Sequence, residues 1–281
     1  MIGIWAPYQR TGRTTITIAL AYKISEKLSA DKKVLVCCTN GYKGTLLKAM
    51  NVSIEEIGLE DLVSYKLAGF SGEGYGTILA RRGRMFFAGS SKMTPHFVKT
   101  HMAIYKKIFD DLKSQFDIVI IDLPDGQENV LGNMLMGKCD RVITVAEQDI
   151  DTLTEKQLSI KPQVGSFLII NKYKKLYPLK SDIKNLCHLK AKIYHVPDCN
   201  IFREMKNKGR LLQYLTLQTD FNLEIDNIVT NFLEIKQSTI LDGMHIGARN
   251  RRIFDKLKIN MLEENKGECC FSSRLIFNNG S

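Results

Sequence analysis

The residues Gly12-Arg13-Thr14-Thr15 combine types and a spacing that could hold a phosphate group. They stand between a short apolar run, MIGIWA, and a segment with helical spacing, TTITIALAYKISEKL, which places them in a strand-to-helix loop. Backbone N–H groups at the start of a helix attract anions, and a Ser/Thr hydroxyl in such a loop can ligate magnesium. Thr14 is therefore the candidate magnesium ligand, and Thr15 a candidate α-phosphate contact or helix cap. By themselves these residues fit an ordinary strand–helix turn about equally well.

The loop departs from the usual phosphate-binding pattern at one charged position. Arg13 stands where a lysine usually grips phosphate. Arginine keeps the positive charge but spreads it over a planar fork. We therefore expect its contact with phosphate to differ in geometry from that of lysine.

A carboxylate at the end of a second apolar run, FDIVIID, strengthens the phosphate-site interpretation. Asp122 closes that predicted strand, and ligands of parallel α/β sheets bind at the carboxyl edge of the strands. An acid at this edge can hold a magnesium ion or its water, although an aspartate that caps a loop is a common alternative. Asp125 and Gly126 follow where a γ-phosphate sensor would lie, and a plain x-P-D-G-x turn explains them equally well.

The elements that must position these residues alternate between strands and helices. Predicted strands lie in the runs MIGIWA, KKVLVCCT, GRMFFAG, FDIVIID, DRVITVAE, SFLIINK and KAKIYHVP. This alternation predicts an α/β fold with a doubly wound, mostly parallel sheet flanked by helices. The rhythm stops near Lys236, so we predict a nucleotide-binding domain over 1–235. Residues 236–281 would form a basic C-terminal extension, helical at first and then disordered or loosely packed.

Composition narrows the class of protein. The 281 residues are 44% hydrophobic and 25% charged, which is typical of a globular protein with a sizeable core. No apolar run is long enough to span a bilayer, and the N-terminus has no secretory pattern, so we expect a cytoplasmic protein. The seven cysteines lack metal-site spacing and are expected to be free thiols. A net charge of +10 suits an anionic partner such as nucleotide, nucleic acid or lipid.

Taken in order, these segments resemble the deviant-Walker P-loop ATPases of the MinD/ParA type, which belong to the SIMIBI class of P-loop NTPases. Within that group the chain looks closest to the TadZ/CpaE-like proteins that place bacterial pilus and secretion machinery. The resemblance runs from residue 1 to about 235 and includes the phosphate loop, FDIVIIDLPDG, FLIINK and VPDCNIFREMKNKG. It implies ATP and Mg²⁺ as cofactors and a homodimer with nucleotide at its interface. It also implies a protein partner from a pilus, secretion or positioning system.

The resemblance assigns roles to particular residues. Thr14 and Asp122 would hold Mg²⁺, Asn171 would contact adenine, and Pro197 would lie near the base. Asn40 and Asp122 fall at the positions that support hydrolysis in the family. The full set implied for nucleotide binding is Arg10, Thr11, Gly12, Arg13, Thr14, Thr15, Asn171 and Pro197.

Departures from the family pattern predict a change in activity. The family's signature lysine falls at Tyr8, and Arg10 or Arg13 would have to replace the family lysines. An acidic pair after the second strand falls at Cys38 and Asn40. Asparagine can bond a water molecule but carries no negative charge, so we expect ATP binding with weak or absent hydrolysis.

Alternative functions stay open at this point. The basic stretch from Arg249 to Lys258 could lie on an anionic membrane, track DNA phosphates or form a solvated helix. The leading hypothesis is a cytoplasmic nucleotide-dependent switch or scaffold, with a peripheral position at the membrane or cell pole left open. A ParA-like partition ATPase that binds DNA non-specifically is the main alternative. A metabolic P-loop enzyme is a third, and Cys139 has no suitably placed partner for an iron–sulfur cluster.

Overall fold

The computed structural model describes residues 1–39, 45–52, 57–89, 94–126, 129–154, 167–187 and 192–243. Met1–Asn231 form one compact unit, and its described part contains a single eight-stranded sheet. The strands are β1 (Ile2–Trp5), β2 (Val34–Cys38), β3 (Ala80–Arg82), β4 (Met85–Ala88), β5 (Ile118–Asp122), β6 (Arg141–Glu147), β7 (Phe167–Tyr173) and β8 (Lys192–Pro197).

The helices of the described residues alternate with these strands. They are α1 (Arg13–Lys27), α2 (Thr45–Ala49), α3 (Leu59–Leu67), α4 (Tyr75–Ile78), α5 (Pro95–Thr100), α6 (Met102–Gln115), α7 (Val130–Lys138), α8 (Ile150–Thr154), α9 (Lys180–Leu186), α10 (Asn200–Asn207), α11 (Leu211–Leu215) and α12 (Asp220–Gly243), with a 3₁₀ turn at Gly72–Gly74. None of them is both long and apolar enough to cross a membrane.

A second compact unit comprises Phe232–Ser281 and is described only to the end of α12. The basic stretch Arg249–Lys258 lies outside the described residues. The domain boundary at residue 235 therefore stays a prediction.

The order of the strands is β3-β4-β2-β5-β1-β6-β7-β8, and all neighbours are parallel except β3 and β4. This arrangement confirms the predicted doubly wound, mostly parallel fold. Strand β1 lies between β5 and β6, with Ile4 level with both Asp122 and Ile143. The loop after β1 therefore begins beside Asp122, at the carboxyl edge of the sheet.

The structure differs from the sequence prediction at two places. Strand β3 was not predicted; it pairs antiparallel with β4 through a tight turn in which Gly83 has a φ of 60°. Only three residues long and with two exposed arginines, it has no apolar alternation to reveal it. The sequence between GRMFFAG and FDIVIID also predicts one helix over 97–115. The structure has two helices there, because His101 leaves helical geometry between α5 and α6.

The central strands are buried along their whole length. Every residue of β1, β2 and β5 is buried, which is the pattern of parallel strands covered by helices on both faces. On one face the core includes Leu35, Tyr105, Phe109 and Ile121. The carboxylate of Asp122, the last residue of β5, is therefore buried too.

His195 on β8 gives the folded unit a pH-dependent stability. Its Nε2 atom is buried and has no hydrogen-bond partner among the described residues, and its ring lies 5.0 Å from that of Tyr173. Burial, with a smaller contribution from the charge of Lys180, lowers the pKa of His195 from 6.5 to about 4. The unfolded chain therefore takes up a proton between these values and the folded chain does not.

We expect the free energy of unfolding to fall as pH drops from about 6.5 to 4, because only the unfolded chain gains this proton. Replacing His195→Phe keeps a ring against Tyr173 and should flatten that decline in urea-unfolding curves measured across the range. The control is His96→Phe, which removes an exposed imidazole. An equal flattening by both variants would show that His195 is not the group responsible.

Candidate functional site

The loop between β1 and α1 turns sharply into the helix. Gly12 caps α1 in the left-handed conformation with a φ of 85°, and Arg10 also has a positive φ, 65°. The first-turn N–H groups of α1 have no intrahelical partner by helix geometry, and that turn contains no acidic residue. The helix start is therefore suited to an anion, as the sequence predicted.

Two side chains at the end of β7 hold this loop from the other side. Asn171 is buried, and its Nδ2 donates to the carbonyl oxygen of Thr11 at 2.8 Å. Lys172 donates through Nζ to the carbonyl oxygen of Arg10 at 2.8 Å and also pairs with Glu147. The loop is thus tied to β7 by two hydrogen bonds to its backbone.

Asp122 forms the centre of a buried polar cluster. Its Oδ1 accepts from Nε of Arg13 at 2.6 Å, and its Oδ2 accepts from Oγ1 of Thr14 at 2.8 Å. The side chains of Arg13 and Asp122 are only 8% and 0% exposed. Nη1 of Arg13 also lies 3.7 Å from Asp125. Arg13 therefore compensates the charge of the carboxylate in this structure rather than projecting into open space.

The end of β2 completes the cluster without an acid. Sγ of Cys38 lies 4.0 Å from Oδ2 of Asp122, and Oγ1 of Thr39 donates to the Asp122 carbonyl oxygen at 2.9 Å. The other predicted catalytic residue, Asn40, lies outside the described residues. No described residue beside Asp122 on β2 therefore supplies a negative charge.

A pocket of about 350 Å³ opens beside the start of α1. Small-molecule pockets typically measure roughly 300–1,000 Å³. Five residues predicted to bind nucleotide line it together: Arg10, Gly12, Thr15, Asn171 and Pro197. The carboxyl ends of β7 and β8 thus meet the phosphate loop around one cavity.

Seven other lining residues were not named individually from the sequence, although five of them lie in the segment VPDCNIFREMKNKG that the resemblance placed near the base. They are Lys172, Asp198, Cys199, Asn200, Phe202, Lys206 and Phe221. Phe202 and Phe221 lie with ring centroids 5.4 Å apart and give the pocket an aromatic wall. Lys172 directly follows the predicted base contact Asn171, so its position in the sequence could have indicated it. Phe221 comes from the start of α12, and no local pattern connects it to the loop.

The remaining predicted residues lie beside the pocket. Arg13 and Thr14 bond to Asp122. The carbonyl oxygen of Thr11 accepts from Asn171, and its Oγ1 is buried with no hydrogen-bond partner among the described residues. The hydroxyl and carboxylate oxygens of Thr14 and Asp122 are the ligand types that Mg²⁺ prefers. Their chemistry fits a magnesium ion, but Arg13 would have to release Oδ1 for direct contact between Asp122 and the metal.

The cysteines near the sheet have the environment of core thiols. Burial raises the pKa of Cys139 to about 12 and that of Cys187 to about 11, which keeps both protonated near neutral pH. Thiolate is the form that binds metal. Within the described ranges, no three His, Cys, Asp or Glu side chains are grouped as metal ligands.

Comparison with known proteins gives a family match over part of the chain and a fold match over most of it. Residues 81–200 match the family described as cellulose biosynthesis protein BcsQ. Among curated protein sequences, none matches the chain significantly. A ParA family ATPase from Chlorobium tepidum TLS superposes with a TM-score of 0.70, at 14% identity, covering 82% of this chain and 98% of that one.

Two further solved structures contain nucleotide. The septum site-determining protein MinD from Pyrococcus horikoshii OT3, complexed with Mg-ADP, gives a TM-score of 0.67 at 18% identity, covering 82% of this chain and 94% of that one. A putative plasmid partition protein from Borrelia burgdorferi B31, bound to AMPPNP, gives a TM-score of 0.60 at 17% identity, covering 83% of this chain and 98% of that one. The chain therefore has the MinD/ParA P-loop fold.

Gly12 offers a test of the loop geometry. An added Cβ would lie 2.1 Å from Nδ2 of Asn171 at a φ of 85°, whereas one at Gly69, with a φ of 83°, would meet nothing within 4 Å. Gly69→Ala should lower the free energy of unfolding by roughly 1 kcal/mol from backbone strain alone. Gly12→Ala should lower the free energy of unfolding clearly more than Gly69→Ala does, because its Cβ also clashes with Asn171. Urea-unfolding titrations of both variants measure the difference.

Removing the Asn171 side chain separates the clash from the backbone strain at Gly12. In an Asn171→Ala background, Gly12→Ala should cost about as much as Gly69→Ala, because only the backbone strain remains. Equal costs for the two glycine substitutions in the otherwise unchanged chain would contradict the close approach of Asn171 to the loop.

The buried ion pair offers a second test. Arg13→Met leaves the fully buried Asp122 carboxylate without its cation and should lower the free energy of unfolding by roughly 3 kcal/mol. Adding Asp122→Asn should recover part of that loss, since the neutral amide needs no counter-charge. Lys208→Met, which breaks an exposed i,i+4 pair with Glu204, is the control and should change stability far less. A similar loss in both single variants would mean that Arg13 does not compensate a buried charge.

Proposed function

We propose that this chain is an ATP-binding switch or scaffold of the MinD/ParA type that dimerises with nucleotide and hydrolyses ATP weakly or not at all. The observation that carries the proposal is the pocket beside the start of α1. Five residues that the sequence assigned to nucleotide binding line it together, although they come from three separate parts of the chain. The shared fold with nucleotide-bound MinD and partition proteins supports the same assignment.

The geometry suggests a role for each part of the site. The phosphates would lie against the first-turn N–H groups of α1 and Arg10, and the base would lie near Asn171 and Pro197. Phe202 supplies an aromatic face for the base. Mg²⁺, when bound with the phosphates, would be held by Thr14 and Asp122, and it would supply charge neutralisation there. We expect Arg13 to leave Asp122 and turn toward phosphate in that state.

Weak hydrolysis follows from the neutral groups at the end of β2. Attack on the γ-phosphate needs a water molecule that is held and polarised. Cys38 lies beside Asp122 where the family has an acid, and Asn40 replaces the second acid. An asparagine can hold the water by hydrogen bonds but adds no negative charge to polarise it.

The proposed partner is a protein of a pilus, secretion or positioning system. The resemblance to TadZ/CpaE-like proteins points to pilus or secretion machinery, and the family matched by residues 81–200 is named for cellulose biosynthesis. A MinC:MinD cell division complex from Aquifex aeolicus shares the fold and contains a bound protein partner. We place this chain in the cytoplasm, at the inner face of the membrane or the cell pole.

A ParA-like partition function is the second candidate. The structures of a ParA family ATPase and of a putative plasmid partition protein share the fold, and the chain carries a net charge of +10. That hypothesis requires DNA-stimulated turnover and DNA binding that weakens steeply with salt.

Binding of a fluorescent ATP analogue with Mg²⁺, measured beside phosphate release from the same sample, tests the proposal. We expect saturable binding with little release. Arg10→Gly tolerates the positive φ and removes one pocket cation, so it should weaken binding roughly tenfold. Arg81→Ala, which removes an exposed arginine from β3, should leave binding unchanged.

Three results would overturn parts of this proposal. Absence of binding would remove the nucleotide function, and equal affinity in Arg10→Gly would place the ligand outside this pocket. Phosphate release at the rate of a cycling ATPase, rising with added DNA, would favour the partition function instead.

A further inference from the structure

The loop between β7 and α9 exposes three apolar side chains. This segment, residues 174–179, is called here the KKLYPL loop. Leu176, Tyr177 and Leu179 are 63%, 69% and 47% exposed. Single apolar residues on a surface are ordinary, but three within four positions concentrate exposed apolar side chains in one short segment, as interaction sites do.

The backbone of the KKLYPL loop is held in place by one side chain. Nε2 of Gln148, just after β6, lies 3.0, 2.7 and 2.8 Å from the carbonyl oxygens of Lys174, Leu176 and Pro178. Its Oε1 accepts from the backbone N–H of Lys174 at 2.8 Å. Gln148 therefore holds the loop backbone at its start, at its middle and near its end.

The far side of the KKLYPL loop is anchored in the core. The backbone N–H of Leu179 donates to Oδ2 of Asp182 at 2.9 Å, which caps α9. Ile183, one turn later, is buried in a cluster with Leu153 and Leu168. Because its backbone is held in this way, the KKLYPL loop has little conformational freedom left to lose when Leu176 and Tyr177 bind a partner. The fold therefore holds these side chains in an exposed position.

The segment that contains the KKLYPL loop carries net positive charge. Residues 172–184 contain five lysines and one acidic residue, Asp182. Lys172 is paired with Glu147, and Lys174 lies 3.2 Å from Asp198. Lys175, Lys180 and Lys184 are exposed, and Lys180 lies over the ring of Tyr173. The loop therefore presents its apolar side chains in a segment of net positive charge with three exposed lysines.

We infer that the KKLYPL loop docks this protein on an anionic lipid surface. Apolar side chains on a protruding loop can enter the boundary between headgroups and acyl chains, and Tyr is well suited to that depth. The lysines would meet the lipid phosphates, which attract basic groups close to the bilayer. Docking through this loop goes beyond the proposed nucleotide function and does not depend on it.

The same charges disfavour a second copy of the chain as the occupant. A symmetric contact through this loop would set Lys175 and Lys180 of one copy against the same lysines of the other. Like charges brought together in an interface oppose association. A fluid anionic surface supplies the opposite charge and adapts to a convex apolar tip.

Co-sedimentation of the full chain with vesicles tests the inference. Vesicles of phosphatidylglycerol in phosphatidylcholine should bind the protein, and vesicles of phosphatidylcholine alone should bind it much less. Replacing Leu176, Tyr177 and Leu179 together by Ser should lower the partition coefficient at least about tenfold, because the apolar burial is lost. Lys175→Ser with Lys180→Ser should lower it about 25-fold, at about fivefold for each lysine.

Matched variants control for non-specific effects. Tyr65, Leu67 and Phe70 are 36%, 60% and 60% exposed on another surface, and replacing all three by Ser should leave vesicle binding unchanged. Lys106→Ser with Lys107→Ser removes two exposed lysines from α6. This pair should lower the partition coefficient much less than Lys175→Ser with Lys180→Ser. Equal losses in loop and control variants would mean that general charge or unfolding governs binding, and would overturn the inference.

A local probe separates the loop from the rest of the chain. The one native tryptophan, Trp5, is 3% exposed and should show no quenching by brominated lipid. Tyr177→Trp should show a blue shift on anionic vesicles and quenching by brominated acyl chains. Vesicle binding without quenching of this residue would place the contact elsewhere, for example in residues 244–281. Loss of a dimer in the triple serine variant with vesicle binding intact would identify the loop as a self-association face. Either result would overturn the inference.

Discussion

The charge of Asp122 is the constraint on which the site depends. Strand β5 is covered on both faces, so its terminal carboxylate is fully buried and must be compensated by groups from other elements. Arg13 and Thr14, the first residues of α1, supply the counter-charge and the second hydrogen bond. This requirement fixes the start of α1 against the end of β5, and with it the direction in which the helix N-terminus faces.

The loop before α1 is then held between two neighbours of β1. Because β1 lies in the middle of the sheet, its loop has the end of β5 on one side and the ends of β6 and β7 on the other. Asn171 and Lys172 bond the loop backbone from β7, and Gly12 has no side chain to obstruct Asn171. The pocket is the space left between this loop, the end of β8 and α10. Its shape therefore follows from strand order as much as from the loop sequence.

The end of β7 serves two surfaces. Asn171 and Lys172 face the phosphate loop, and the KKLYPL loop begins two residues later. Lys172 also pairs with Glu147 at the end of β6, next to Gln148, which holds the KKLYPL loop. The proposed nucleotide pocket and the proposed lipid-binding loop thus rest on the same pair of strand ends. This shared base gives the two surfaces a fixed spacing at the carboxyl edge of the sheet.

The sequence by itself determined the fold class and the residues that lie at element ends. Unbroken apolar runs mark buried parallel strands; Asp122 closes one such run, and Gly12, Arg13 and Thr14 end the loop that follows another. The three-residue strand β3 is too short to show an alternation of apolar and polar residues. The break at His101 does not interrupt the helical spacing of the sequence around it. Only the tertiary structure decided that Arg13 pairs with Asp122 and that Phe221 joins the pocket, because both depend on contacts between distant segments. It also decided that Leu176 and Tyr177 stay outside: their apolar character alone favours burial, but Gln148 fixes the backbone with Pro178 inward.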